Sequence, residues 1–157
     1  MQTFQPSRAG LLTSLNMTLF QSGGVNCAGT ANPVDCSGPN QDLIVSLVEL
    51  DDRNQPTTTI STGTISRAFL SYSPSVVRVP VTAELLADRS YGIKLTSSAT
   101  GDGCYGYEYA EQNPYARGGE FKQQPPGSGA FVAEPDLDLK FFSVMEPAKS
   151  SAPLGSE

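Results

Sequence analysis

Short stretches in which apolar residues occupy every second position recur along this chain, and they constrain the fold more than any other feature. Within residues 10–20, Leu15, Met17 and Leu19 alternate with polar residues, which is the period of a strand with one buried face. The only helix-like piece, residues 83–88, is too short to form a stable helix. The pattern therefore predicts an all-β protein.

The composition agrees with many short strands joined by turns. The 157 residues include 15 glycines and 12 prolines, and 38% are hydrophobic, which favours neither disorder nor a helical bundle. Because no helices are available to cover a parallel sheet, we expect a two-sheet antiparallel β-sandwich, and more specifically a jelly roll. It should span residues 1–144, followed by a linker-like tail at 145–157. The expected strands are 2–5, 10–20, 42–50, 57–72, 75–82, 90–97, 105–109, 130–134 and 137–144.

Two of these runs predict their own place in a sheet. Residues 42–50 are apolar on both faces and should form a central strand, whereas Pro80 lacks an N–H group and places the run 75–82 at an edge. The side chains that alternate inward predict the core: Leu15, Met17, Leu19, Val45, Leu47, Ile93, Leu95, Leu139 and Phe141.

Charge and histidine content exclude several functions. The net charge of −6 and the dispersed lysines and arginines argue against nucleic-acid or anionic-membrane partners, and no apolar run approaches the roughly 18 residues of a membrane helix. Without histidine, Ser-His-Asp or Cys-His catalysis and histidine-bound zinc are ruled out. The carboxylates Asp102, Glu108, Glu111 and Glu120 show no spacing that specifies a catalytic pair. We therefore expect a protein that is not an enzyme.

Three cysteines bear on the compartment. Cys27 and Cys36 bracket a loop of eight residues that can close without strain, so the sequence predicts a disulfide between them. Such a bond implies an oxidising, extracellular location. Cys104 is then left over, either as a small buried apolar residue with a free thiol or as a partner that displaces one of the other two. The first ten residues lack the basic and apolar segments of an export signal and do not indicate how the chain would be secreted.

A tyrosine-rich segment, residues 101–122, is the strongest candidate for a site. Tyr105, Tyr107 and Tyr109 stand two apart and would share one face of an extended strand. Such a row is typical of half-buried packing, but rings beside amides and carboxylates also suit a sugar, whose C–H faces stack on aromatic rings. We expect Tyr105 and Tyr109 to pack, and ligand contacts to come from the loop side. The predicted ligand residues are Asp102, Tyr107, Asn113, Tyr115 and Glu120.

The order of these motifs resembles that of jelly-roll, carbohydrate-binding-module-like domains of secreted bacterial carbohydrate-active enzymes. The resemblance covers roughly residues 2–144 and lies in QTFQP, DLIVSLVELD, ELLADRSYGIKLTS, CYGYEYAEQNPYARGGEF and DLDLKFFSV. It implies a non-catalytic module that binds a polysaccharide or glycan, in many members with a structural calcium ion. The acidic turn at residues 51–56 could hold calcium, or its carboxylates could cap the turn.

A structural role is the alternative. Tryptophan, the usual residue for stacking on sugars, is absent, and no catalytic domain accompanies the sandwich. Jelly rolls are also common capsid parts. The chain could therefore be a subunit of a virion decoration, a fibre or an extracellular filament, located on a virion surface and acting through protein contacts in a homo-oligomer or larger assembly.

Overall fold

The computed structural model describes residues 1–23, 38–98, 103–112, 114–124, 129–134 and 136–148. Within those ranges the chain forms strands joined by turns, with one 3₁₀ turn at Arg67–Phe69 and no α-helix. No helix there is long and apolar enough to cross a bilayer. The strands are β1 Gln2–Phe4, β2 Gly10–Ser22, β3 Leu43–Leu50, β4 Pro56–Ile65, β5 Ser75–Val79, β6 Ala83–Leu85, β7 Tyr91–Thr96, β8 Cys104–Tyr107, β9 Tyr109–Glu111, β10 Gly119–Gln124, β11 Ala130–Glu134, β12 Leu137–Leu139 and β13 Phe141–Pro147.

The larger sheet has six antiparallel strands in the order β11-β10-β1-β7-β3-β4. Its interior strand β3 pairs with β7 on one side and with β4 on the other, so that Val45 lies between Leu95 and Gly63. This position confirms the prediction of a central strand from the apolar run 42–50.

The smaller sheet is built around the long strand β2. The pairing registers place β13 and β8 end to end along one edge of β2, and β5 and β6 along the other. Strand β5 ends at Val79, immediately before Pro80, and lies at an edge as predicted. Residues 83–88 look helix-like in the sequence but do not form a helix. Their first half is strand β6, which pairs with Gly10–Leu12 of β2.

A two-stranded ribbon, β9–β12, leaves the smaller sheet. Strands β8 and β9 are separated by Glu108, and β12 and β13 by Lys140, whose backbone N–H donates to the carbonyl of Glu108 at 3.0 Å. Beyond these two residues, strands β9 and β12 pair with each other, from Leu137 opposite Glu111 to Leu139 opposite Tyr109. The ribbon lies against β10 of the larger sheet and so connects the two layers.

The core lies between the two sheets, and the alternation of the sequence predicts most of it. Leu15, Met17, Leu19, Val45, Leu47, Ile93 and Leu139 are buried, while the predicted Leu95 and Phe141 are half-buried and pack against them. The packed antiparallel sheets confirm an all-β sandwich, and the jelly-roll topology stays a prediction.

The predictions for the C-terminal end of the sandwich and for the three cysteines have different outcomes. The last strand does not stop at residue 144, because Met145, Glu146 and Pro147 continue the pairing with β2 after a register shift. Residues 149–157 of the predicted tail lie outside the described ranges, as do Cys27 and Cys36 of the predicted disulfide. Cys104 is a free thiol, as one of the two alternatives for it predicted, but it is exposed and not buried as that alternative expected.

Candidate ligand-binding cleft

The tyrosines of residues 105–109 do not form one row. Tyr105 and Tyr107 lie on β8 and pack against the core, whereas Tyr109 lies on β9 and is 50% exposed. The alternation fails because the strand is broken at Glu108, where the chain turns from the smaller sheet into the ribbon. The prediction that Tyr109 is a packing residue is therefore wrong, and that for Tyr105 is correct.

The predicted ligand residues Tyr107 and Glu120 contact each other inside the protein. The Tyr107 hydroxyl donates to Oε1 of Glu120, whose side chain lies in the interior with only 2% of the residue exposed. Burial, the hydrogen bond to Glu120 and the nearby carboxylates raise the pKa of Tyr107. Glu120 does not line the cleft described below but a separate depression with Thr3 and Ala133, and a ligand role for it stays a prediction.

A second buried polar cluster joins the first strand to the ribbon and to the following loop. Gln2 donates from Nε2 to Oδ1 of Asp138 at 2.8 Å and accepts from the backbone N–H of Leu139 at 2.7 Å. The other Asp138 oxygen accepts from the backbone N–H of Tyr115 at 2.8 Å. Gln2 and Asp138 are 1% and 3% exposed, and because each has its partners, their burial fixes β1, β12 and the loop 114–117 relative to one another.

Tyr115 is the predicted ligand residue that lines a large cleft, whereas Tyr107, also half-buried, lines a smaller one beside Leu95 and Cys104. Its backbone is held by Asp138, its hydroxyl donates to the carbonyl of Gln5 at 3.0 Å, and its ring meets that of Phe141 edge-on at 5.9 Å between centroids. These contacts leave the ring half-buried at the wall of a cleft. The remaining predicted ligand residues, Asp102 and Asn113, lie outside the described ranges.

The cleft has a volume of about 700 Å³ and opens between residues 4–8, the loop 114–117 and residues 138–145. Its aromatic part consists of the buried Phe4, the half-buried Tyr115 and Phe141, and Phe142, which is 58% exposed. The ring of Phe4 meets that of Phe141 edge-on at 5.6 Å. Three rings are therefore fixed by the core, whereas the ring of Phe142 points to the outer face of the smaller sheet and stands at the edge of the cleft.

The charged side chains that line the cleft are mostly cationic. Arg8, Arg117 and Lys140 line it, and Asp138 is the acidic residue of the lining. Arg117 forms an ion pair with the exposed Asp88, and Lys140 lies 3.4 Å from Glu108. The cleft can thus offer aromatic faces together with hydrogen-bond donors that carry positive charge.

Sequence reasoning missed Phe142, Arg8 and the two other cations. A signal for Phe142 exists, because adjacent phenylalanines on one strand must point to opposite faces, so one ring of the pair 141–142 has to face outward. Arg8 carries no comparable signal. It reaches the cleft because β1, which precedes it, lies beside Asp138, a residue 136 positions after Gln2 in the chain.

The acidic turn at residues 51–56 caps itself. Oδ1 of Asp51 accepts from the backbone N–H groups of Arg53 and Gln55 at 2.9 and 2.8 Å, as the capping alternative predicts. In the described part of the chain, no three acidic or cysteine side chains cluster to hold a metal ion. Calcium binding by this chain stays a prediction from the resemblance.

Comparison of the chain with protein-family models, with curated proteins and with solved structures gives no match.

Proposed function

We propose that this protein is a non-catalytic, extracellular module that binds a polysaccharide or glycan in the cleft. The observation that carries the proposal is the half-buried ring of Tyr115 in an open cleft lined by polar side chains, with the exposed Phe142 at the edge of the cleft. Its volume of about 700 Å³ is within the range of about 300–1,000 Å³ typical of ligand pockets. The fold itself supports no particular ligand, since one sandwich can carry many functions.

The chemistry of the cleft suits a sugar ring. The apolar C–H face of a sugar can stack on the half-buried ring of Tyr115 or, at the edge of the cleft, on Phe142, while its hydroxyls can pair with Ser7, Ser143 and the arginine donors of the lining. Each stacked ring contributes on the order of 1 kcal/mol. With one or two such contacts we expect weak binding per site, with Kd values of about 0.1–1 mM.

Replacing Phe142 by alanine tests the proposal with little risk to the fold, because the side chain is 58% exposed. We expect F142A to lower the affinity for a polysaccharide about five- to tenfold, the effect of one lost ring contact, without a change in melting temperature. Affinity electrophoresis against a panel of soluble polysaccharides, followed by calorimetry, measures this. Tyr115 is less suitable because it also holds Gln5 and Phe141.

Phe69 offers a matched control. It is 81% exposed on the 3₁₀ turn and does not line the cleft, so F69A should bind like the wild-type protein. Equal losses in F69A and F142A would count against the cleft, and a protein that binds no member of the panel would contradict the proposal.

A structural role remains a second candidate because of an exposed apolar strip. Phe142 and Val144 on β13 and Val76 on β5 point outward from the same face of the smaller sheet and are 58%, 42% and 63% exposed. Exposed apolar patches are typical of protein contacts. Size-exclusion chromatography with light scattering separates the candidates: a glycan-binding module should be a monomer or small oligomer, whereas a subunit of a fibre or shell should form a defined trimer or a larger array.

A further inference from the structure

We infer that the polysaccharide bound in the cleft is anionic and carries carboxylate or sulfate groups. This inference rests on the proposed function and adds the class of ligand. The chain as a whole has a net charge of −6, yet the cleft is lined by Arg8, Arg117 and Lys140 against the single acid Asp138. Within the lining itself the balance is three positive charges to one negative charge, and two further carboxylates, Asp88 and Glu108, lie beside it as ion-pair partners of Arg117 and Lys140.

Each cation can be offered to a ligand. Arg8 is exposed and forms no hydrogen bond or ion pair with any residue that the structure describes. Arg117 is paired with Asp88, whose side chain is 74% exposed, and Lys140 is paired at 3.4 Å with Glu108, whose side chain is 40% exposed. Surface pairs of this kind are weak, so an incoming anion can compete with both carboxylates.

The acid of the lining does not oppose an anion strongly. Both oxygens of Asp138 accept hydrogen bonds from buried donors, one from Gln2 and one from the backbone of Tyr115. These donors solvate the carboxylate from inside the protein, and Asp138 is only 3% exposed. An anionic ligand therefore first meets Arg8, which is unpaired among the described residues, and it meets all three cations once it displaces the exposed carboxylates Asp88 and Glu108.

The combination of rings and cations points to a charged sugar rather than to another polyanion. Guanidinium groups pair with planar carboxylates and with sulfates through two donors, while the ring of Tyr115, with Phe142 at the edge of the cleft, offers an apolar surface on which a sugar face can stack. An acidic sugar residue carries both. An acidic peptide supplies the charge without the stacking face, and a neutral sugar leaves Arg8 without a counter-charge.

Matched polysaccharides that differ only in charge test the inference on the full chain. The pairs are polygalacturonate with its fully methyl-esterified form and dextran sulfate with dextran, and poly-L-glutamate serves as a polyanion without sugar rings. We expect at least one acidic polysaccharide to bind at least about tenfold more tightly than its neutral partner and than poly-L-glutamate. This preference should fall as NaCl is raised from about 20 to 500 mM, because salt screens exposed charges.

Charge-removing variants then assign the preference to the cleft. R8Q should weaken binding of the acidic polysaccharide about two- to fivefold, the size of one exposed ion pair, and the double variant R8Q/K140Q about tenfold. The matched control is R53Q, since Arg53 is exposed in the β3–β4 turn and does not line the cleft. It should bind like the wild-type protein.

The outcomes separate the inference from the proposed function. If neutral polysaccharides bind as tightly as acidic ones and F142A weakens both, the glycan module stands and the charge inference is overturned. Equal binding of poly-L-glutamate, or equal losses in R8Q and R53Q, also overturns it. If no polysaccharide of either kind binds, the proposed function fails and the inference fails with it.

Discussion

At the scale of single residues, the polar side chains inside the sandwich are the least replaceable. Gln2, Asp138 and the backbone of Tyr115 satisfy one another, whereas Glu120 depends on the Tyr107 hydroxyl. The other carboxylate oxygen of Glu120 is buried without a hydrogen bond to any residue in the described ranges. Removing the one donor should therefore leave a buried carboxylate with neither oxygen paired, which costs more than losing a surface hydrogen bond.

Tyr107→Phe should destabilise the protein at neutral pH by about 1–3 kcal/mol. Its effect should also depend on pH. The pKa of Tyr107 is raised above its ordinary value of 10, so the folded protein holds this proton to higher pH than the unfolded chain does. The resulting stability is fully present below about pH 10 and is lost as the pH rises beyond that value. Y107F should therefore lose less stability than the wild-type protein between pH 9 and 11.

Urea unfolding of both proteins at pH 7, 9, 10 and 11 measures this difference. Tyr109→Phe is the control, because Tyr109 is half exposed and its replacement should leave the stability at pH 7 within about 0.5 kcal/mol. If the wild-type protein and Y107F lose the same stability above pH 9, the buried contact of Tyr107 with Glu120 is not as described.

The residues that sequence reasoning placed correctly are those governed by local alternation. Met17 and Val45 belong to uninterrupted strands, and their burial follows from their position in the pattern. Tyr107 and Glu120 could not be paired in the same way, because one lies in the smaller sheet and the other in the larger sheet. Their contact depends on how the two layers meet, and alternation within a strand does not encode that.

At the scale of elements, the position of β1 depends on the loop 114–119. Gly118 lies so close to β1 that a Cβ atom there would collide with the carbonyl oxygen of Thr3. Its neighbour Gly119 exchanges hydrogen bonds with the Thr3 side chain, donating at 3.0 Å and accepting at 3.2 Å. The Gly-Gly pair thus lets β1 lie directly against the loop that carries Tyr115.

Gly118→Ala should destabilise the protein by about 1–3 kcal/mol, because the added methyl group meets backbone that cannot move aside easily. Gly119→Ala is the matched control: no atom lies within 4 Å of the Cβ position at Gly119, so this variant should lie within about 0.5 kcal/mol of the wild-type protein or above it. Thermal unfolding of the two variants compares them. A destabilisation of G119A equal to that of G118A would contradict the close approach of β1.

Elements were predictable where one strand stays in one sheet, as β3 does. The ribbon β9–β12 was not, because Glu108 and Lys140 interrupt strands that read as continuous in the sequence. Their place at the break is set by the pairing of β8 and β13 with β2, which the local sequence does not encode. Strand β6 was missed for a similar reason, since pairing with β2 overrides the helical propensity of its leucine and alanine residues.

At the scale of the whole molecule, the cleft is a product of topology. It joins residues after β1, the loop before β10 and the passage from β12 to β13, which are brought together by the pairing of β1 with β10 and by the buried Gln2–Asp138 contact. The sequence identified Tyr115 because its turn and aromatic character are local. It could not identify Arg8 and Phe142 as neighbours, because no local pattern relates positions so far apart.

Glycan binding in this cleft is tested most directly by mapping where a soluble oligosaccharide contacts the protein. The ¹⁵N-labelled protein is titrated with oligosaccharides prepared from the polysaccharides of the panel, up to about 10 mM to cover weak binding, and amide shifts are recorded by NMR. We expect saturable changes that are largest at residues 5–8, 115–118 and 139–143. Changes centred on β8 or on the outer face of β5, or no change at the highest concentration, would contradict it.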